Sequence, residues 1–336
     1  MSFHRLHQDH KQFSPDALHV VTVITNPRRF RSRYNLFKNF EKMVSDAGAR
    51  LWVVEVAFGD RPHEITNHAN QQHIQLRTNS EIWHKENLIN IGISRLPADW
   101  KYVAWVDADV QFVRPDWAVE TVHMLQHHQI VQMFSLAMDM NPEMHPFQAH
   151  KGFAWSYVTG KNPLKLTSER GRYGYPYGHW HPGYAWAARR EAVDHLGGLM
   201  DWAILGAADH HMAHALIGNV EATFPDWTSA LQSPYRTLAM EWQRRAERHV
   251  RRDIGYVDGT INHYWHGTKA NRRYGERWSI IIDNKYNPET DLKKDWQGLY
   301  QLTDRSIALR DQIRAYFRAR NEDSIDFDPS EDAIQL

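Results

Sequence analysis

The chain has 336 residues, 42% of them apolar and 24% charged, with 40 basic and 40 acidic side chains, a balance that suits a globular protein with a substantial core. It has no cysteine, which excludes disulfides and thiol catalysis. No apolar run nears the ~20 residues of a membrane helix and the first ten residues are too polar for a secretory signal, so no membrane span and a cytoplasmic location (a host's cytoplasm for a viral protein) are expected.

Residues 1–17 read as a polar lead-in. Leu18-His-Val-Val-Thr-Val-Ile-Thr25 has the β-branched content of a strand, stopped by Asn26-Pro27. Helical spacing of Leu36, Phe40, Met43 and Val44 follows over 32–47, then strands over 49–57 and 73–77. A helix is expected over 85–94 and an inner strand over 101–107. Beyond them come a helix over 117–127, a strand over 130–138 and an irregular stretch, 140–181, rich in Pro, Gly, His and aromatics. A strand over 184–188 feeds a helix over 190–196; another helix runs from about 208 to 217. A basic helix covers 238–252, with Arg244, Arg248, Arg251 and Arg252 on one face. A short apolar run, 278–282, and an amphipathic helix, 302–317, complete the order. Residues 321–336 hold six acids and no base, and disorder is expected there. Without that tail the body carries a surplus of six bases, a weak preference for anionic ligands. Alternating strands and helices predict an α/β fold with a mostly parallel sheet in one domain.

Asp107-Ala-Asp109 is the first chemical signal. Two acids appear abruptly where an apolar strand ends, and ligands of open α/β sheets bind at the carboxyl ends of strands. Oxygen donors suit Mg²⁺ or Mn²⁺, and such a cation can bridge a diphosphate. The other account of these acids is a strand-end turn. His263-Tyr-Trp-His266-Gly267 is the second signal, followed by Lys269, Arg272, Arg273 and Arg277. In a strand His263 and His266 point to opposite faces, so one of them is expected on the cation; His266 is favoured because Gly267 lets the backbone turn close to a phosphate. Gly206-Ala-Ala-Asp209-His210-His211 at a helix start is the third, where Asp209 is either a helix cap or a proton acceptor.

With the lead-in Asn87-Leu-Ile-Asn90-Ile-Gly92, these features resemble the GT-A class of nucleotide-sugar glycosyltransferases and their "DxD" acids, over about residues 18–285. The resemblance implies a Rossmann-like mixed sheet flanked by helices, with a nucleotide-sugar half (18–115), an acceptor half (116–285) and a C-terminal helical extension (286–320). It implies Mn²⁺ or Mg²⁺ on Asp107, Asp109 and His266. Donor contacts would come from Thr25, Asn26, Pro27, Glu55, Lys85, Asn87 and Asp107, with Lys269, Arg272 and Arg273 neutralising the leaving diphosphate. Asp209 and His210 would be catalytic, and Trp180, His181, Trp186 and His211 would meet the acceptor. The acid that galactosyltransferase-like enzymes carry before this Asp is replaced by Ala208. The donor would be a UDP-sugar and the outcome inversion. The acceptor would be a glycan, or DNA with hydroxymethylated bases as in some bacteriophage glycosyltransferases. Two alternatives stand: a nucleotidyltransferase, disfavoured by the glycine-free turn Asn26-Pro27-Arg28-Arg29, and a non-catalytic sugar- or nucleic-acid-binding module.

Overall fold

The structure is a computed structural model that describes residues 14–161, 180–224, 233–273, 277–303 and 305–328. Its centre is a seven-stranded sheet. β1 (Leu18–Thr25) pairs in parallel with β2 (Arg50–Phe58) on one side and β4 (Tyr102–Val106) on the other, and β3 (His73–Thr78) extends the β2 edge. The apolar runs that mark β1, β2 and β4 in the sequence are the runs buried on both faces, as parallel strands require. β1 shows why. Leu18, Val20 and Ile24 pack with Phe37, Phe40 and Val44 of α1 (Arg31–Asp46). Val21 instead packs with Leu88 and Ile89 of α2 (Lys85–Ser94) on the opposite face. α2 lies so close to the sheet that a Cβ on Gly92 would stand 2.7 Å from Val21 and 2.9 Å from Val54.

The chain then leaves the central sheet and returns. After β5 (Val110–Phe112) and α3 (Trp117–His127), the stretch expected as one strand over 130–138 is two, because the path turns between sheets at 133–135. β6 (Ile130–Gln132) belongs to the large sheet and β7 (Leu136–Met140) to a second, five-stranded one. The 140–181 stretch is more regular than its composition suggests: β8 (Pro146–Gly152) pairs with β7, and α4 (Phe153–Val158) follows. β9 (Trp180–His181) borders β8, and β10 (Ala185–Arg189) inserts antiparallel between β4 and β6. α5 (Arg190–Leu196), α6 (Ala208–Leu216) and α7 (Ser233–His249) cover the α2 face.

β11 (Ile254–Tyr256) closes the large sheet, and β12 (Thr260–His263) lies between β5 and β7 in the small one. α7 stops before Arg251 and Arg252, whose positive φ values of 57° and 62° take them off the helix, so the single basic face expected over 238–252 does not form. The 278–282 run lies within the helix α8 (Arg277–Asp283). The region expected as a purely helical extension opens with a short turn, α9 (Pro288–Asp291), and a hairpin of β13 (Leu292–Lys294) and β14 (Tyr300–Leu302). Helix α10 (Ile307–Ala319) begins five residues later than expected. Ser306 caps it, accepting from the Leu309 amide at 3.1 Å. Among the described residues no helix is long and apolar enough to cross a membrane.

Candidate active site

A cavity of about 160 Å³ opens at the carboxyl ends of β1 and β4. β10 runs antiparallel to β4, so its amino end reaches the same edge, and the Asp107 amide donates to the Tyr184 carbonyl at 2.9 Å. β12 pairs with β5 immediately after the acid loop, and the Tyr264 amide donates to the Asp109 carbonyl at 2.8 Å. The mid-chain acids and the late histidines therefore meet through ordinary strand pairing.

Asp109, His263 and His266 form one cluster whose ligand atoms all lie within 4.8 Å of one another. Asp109 Oδ2 is 3.1 Å from His266 Nε2, and the two Nε2 atoms are 3.2 Å apart. Among the described residues Asp109 Oδ1 is buried without a hydrogen-bond partner, a cost that a cation would remove. One carboxylate and two imidazoles fit a divalent ion of Mn²⁺ type better than Mg²⁺, which takes mostly oxygen. Burial, with Arg272 beside it, brings His266 down to about 4. Burial opposes ionisation of Asp109, but the facing His266 and His263, with Arg33, hold it well below the usual carboxylate range.

The sequence favoured one histidine, and the structure brings both. Strand alternation ceases at His263, the last residue of β12, and the chain then folds back to return His266 to the same point. Gly267 serves this turn with φ +88°. Its close neighbour is the chain's own tail: a Cβ there would lie 2.9 Å from both the Asn321 carbonyl oxygen and Glu322 Cα.

Asp107 lines the cavity but stands outside the trio, its Oδ1 2.5 Å from Lys85 Nζ. Burial raises the Asp107 carboxyl, aided by Asp109 and opposed by Lys85. Thr25, Asp209 and His181 also line the cavity. His181 stacks flat on Tyr184 at 3.7 Å. Gly183 is forced by Asp209, whose Oδ2 would be 2.5 Å from any Cβ there. Arg272 lines the cavity and comes within 3.2 Å of His266 Nε2.

Other expected site residues are turned elsewhere. Asn26 ties its own loop, exchanging hydrogen bonds with the Phe30 amide and carbonyl, and the Pro27 carbonyl accepts from Arg61 at 2.6 Å. Glu55 is buried and spends its oxygens on the amides of Glu64, Ile65 and Thr66. Asn87 holds the β13–β14 hairpin through the Gly298 carbonyl and the Tyr300 amide. Lys269 is buried on Asp139 at 2.6 Å and on Gln148. Arg273 is exposed and borders a different depression. His211 is a core residue, 2.6 Å from Thr223 Oγ1 and 3.1 Å from the Tyr235 hydroxyl, and His210 packs edge-on against His214. Trp186 donates to the Pro182 carbonyl at 2.7 Å, and Trp180 packs near Trp155. In the aromatic 173–183 segment, residues 173–179 lie outside the described residues.

The site also holds residues to which the sequence reading gave no role: Arg33, Arg320 and Glu86 line the cavity, together with Arg277 of the second signal. Burial pushes Glu86 up to about 8 against the pull of Lys85, which disfavours its charged form. Glu322 belongs to the tail expected to be disordered, yet it is buried. It accepts from Arg33 Nη2 at 2.8 Å and Arg320 Nε at 2.6 Å. Asp323 accepts from the Arg31 and Ser32 amides at the start of α1, at 3.0 and 2.8 Å. Residues 329–336 lie outside the described residues. The signals available were the basic run 28–33 for Arg33, and Asp139 as an acid inside an apolar strand.

No family model matches the chain, and no curated protein matches it. Among solved structures it is similar to the catalytic domain of Drosophila β1,4-galactosyltransferase 7 in complex with xylobiose, at 11% identity over 88% of this chain and 98% of that one, with a TM-score of 0.38. It is similar to glucosyl-3-phosphoglycerate synthase of Mycobacterium tuberculosis with Mn²⁺, UDP-glucose and phosphoglyceric acid, at 12% identity over 82% and 80% of the two chains, TM-score 0.36. A third is 4-diphosphocytidyl-2C-methyl-D-erythritol synthase of Anaerococcus prevotii, at 10% identity over 74% and 89%, TM-score 0.33. At these scores the likeness carries no argument about chemistry, which rests on the side chains of the cleft.

Proposed function

We propose that the chain is a cation-dependent glycosyltransferase that moves a sugar from a nucleoside diphosphate sugar, best a UDP-sugar, to an acceptor hydroxyl. The observation that carries this reading is one cavity holding the Asp109–His263–His266 cluster, its orphaned Oδ1, and the separate carboxylate of Asp209. A divalent ion, best Mn²⁺, held by that trio would supply positive charge to a diphosphate leaving group. Arg272 and Arg277, which also line the cavity, suit phosphate oxygens through their planar donor forks. Lys85, paired with Asp107, adds charge where the leaving group develops its own. Asp209 accepts the proton of the acceptor hydroxyl as its oxygen bonds to the anomeric carbon and the bond to the diphosphate breaks. Burial disfavours the carboxylate form of Glu86, which makes it the poorer proton acceptor of the two. This single displacement inverts the anomeric centre.

The acceptor in this reading is a glycan hydroxyl or a hydroxymethylated DNA base. A screen of UDP- and GDP-sugars with both acceptors and Mn²⁺ separates them. Calorimetric titration tests the core of the reading: UDP binding should strengthen with Mn²⁺, and Asp109→Asn should remove that gain while leaving the fold intact. A nucleotidyltransferase would instead prefer a nucleoside triphosphate. A non-catalytic module would show no cation-linked nucleotide binding, and that result would end the proposal.

A further inference from the structure

Behind the cation cluster lies a second set of buried polar groups that the transfer reaction does not use. Its centre is Asp139 on β7, 2% exposed. β7 and β12 pair in parallel with Asp139 directly beside His263, so the strand register itself sets acid against imidazole. Asp139 Oδ1 lies 2.8 Å from His263 Nδ1 and 3.1 Å from the Tyr184 hydroxyl. Its Oδ2 takes His150 Nε2 at 2.7 Å and Lys269 Nζ at 2.6 Å. Both oxygens are thus doubly engaged, and the carboxylate cannot rotate without breaking two bonds. The other nitrogen of the same imidazole, His263 Nε2, is the one 3.2 Å from His266 Nε2 and inside the cluster with Asp109.

A carboxylate has no hydrogen to give. A neutral imidazole bonded to it must carry its proton on the facing nitrogen and present a lone pair on the other. We infer that Asp139 is a positioning residue: it holds His263 with Nδ1 protonated and Nε2 directed as a cation ligand, while Lys269 and His150 pin Asp139 in the orientation that does this. The inference rests on the cation reading of the cluster. It gives Lys269 a role one layer behind the site, in place of contact with the diphosphate. Partners of this kind are typically worth 10–100-fold in metal affinity.

Two measurements test it, and neither needs turnover. In histidine ¹⁵N-labelled protein, with the His263 signals identified by their loss in His263→Gln, the wild-type ring should show its proton on Nδ1; a proton on Nε2 overturns the inference without any change to Asp139. Mn²⁺ titration followed by electron paramagnetic resonance supplies the second. Asp139→Asn should bind Mn²⁺ about 10–100-fold more weakly. Lys269→Met, which leaves the Oδ1–Nδ1 contact, should lose less than about threefold. If Mn²⁺ binds wild type but not Asp109→Asn, and folded Asp139→Asn binds as wild type does, the inference fails while the cation reading stands. If wild type binds no Mn²⁺, both fall.

Discussion

Gly183→Ala bears chiefly on the proposed proton acceptor, with a milder contact on His181 Cε1 at 3.2 Å. The new Cβ would sit 2.5 Å from Asp209 Oδ2, about 0.9 Å inside the 3.4 Å at which ordinary contact begins. The obstructing atom is the end of a side chain, so the cheapest relief is for the Asp209 carboxylate to swing away. Overpacking relieved in this way costs at the low end of the usual range, about 1 kcal/mol, and the melting temperature should fall by no more than ~3 °C. Catalysis is less forgiving. Proton transfer needs heavy atoms within about 2.6–3.2 Å, and a misplacement of about 1 Å can cost ~10²-fold. The expected variant is folded, binds Mn²⁺ and UDP as wild type does, and turns over about 100-fold more slowly. The assay is steady-state UDP release from the best donor, with acceptor or water, beside calorimetry and a thermal melt. Wild-type turnover in Gly183→Ala would show that Asp209's position is irrelevant to the chemistry. Lost Mn²⁺–UDP binding would show that the collision was propagated into the donor site.

His211→Leu should behave as a core mutation: loss of its partners on Thr223 and Tyr235 costs about 2–4 kcal/mol at pH 7.5, while the acceptor KM of the folded enzyme stays unchanged. The same variant tests acid sensitivity. Burial holds His211 at about 3 and His84 at about 4, below their unfolded value, so the unfolded chain binds protons that the native state refuses. Stability is therefore full above about pH 6.5 and falls as pH drops, by up to ~1.4 kcal/mol per pH unit for each histidine; denaturant titrations between pH 7 and 5 should show a shallower loss in His211→Leu. Glu322→Gln should cost about 3 kcal/mol by stranding Arg320. Burial opposes ionisation of Glu322, but Arg33 and Arg320 hold its carboxyl far below the usual range, so its contribution is present above about pH 4.5 and lost as pH falls further. Urea unfolding at pH 7 and pH 4 should show the gap between wild type and variant narrowing in acid.

The fold was legible where burial on both faces leaves an unbroken apolar run, as in β1, β2 and β4, and the acids at Asp107 and Asp109 stand out for the same reason. What the sequence did not disclose is which way a polar side chain faces when its partner is far along the chain. Glu55, Asn87, Lys269 and His211 are the expected residue types, yet each is claimed by a structural partner: the 64–66 amides, the Gly298 turn, Asp139 and Tyr235. The rule of alternation separated His263 from His266 correctly for a strand, but the strand ends at His263, three residues before His266, so the rule does not reach it. Acidic composition read the tail as solvated because Arg33, its main partner, is nearly three hundred positions away.

That tail has a consequence for any phosphate arriving in the cleft. Glu322 is a tethered counter-ion, already seated between Arg33 and Arg320, and its local concentration is fixed by the chain and not by the solution. A dianion must therefore evict a resident or settle beside it. Cutting the chain after Arg320 would remove the resident and leave two guanidiniums facing each other across an emptied seat.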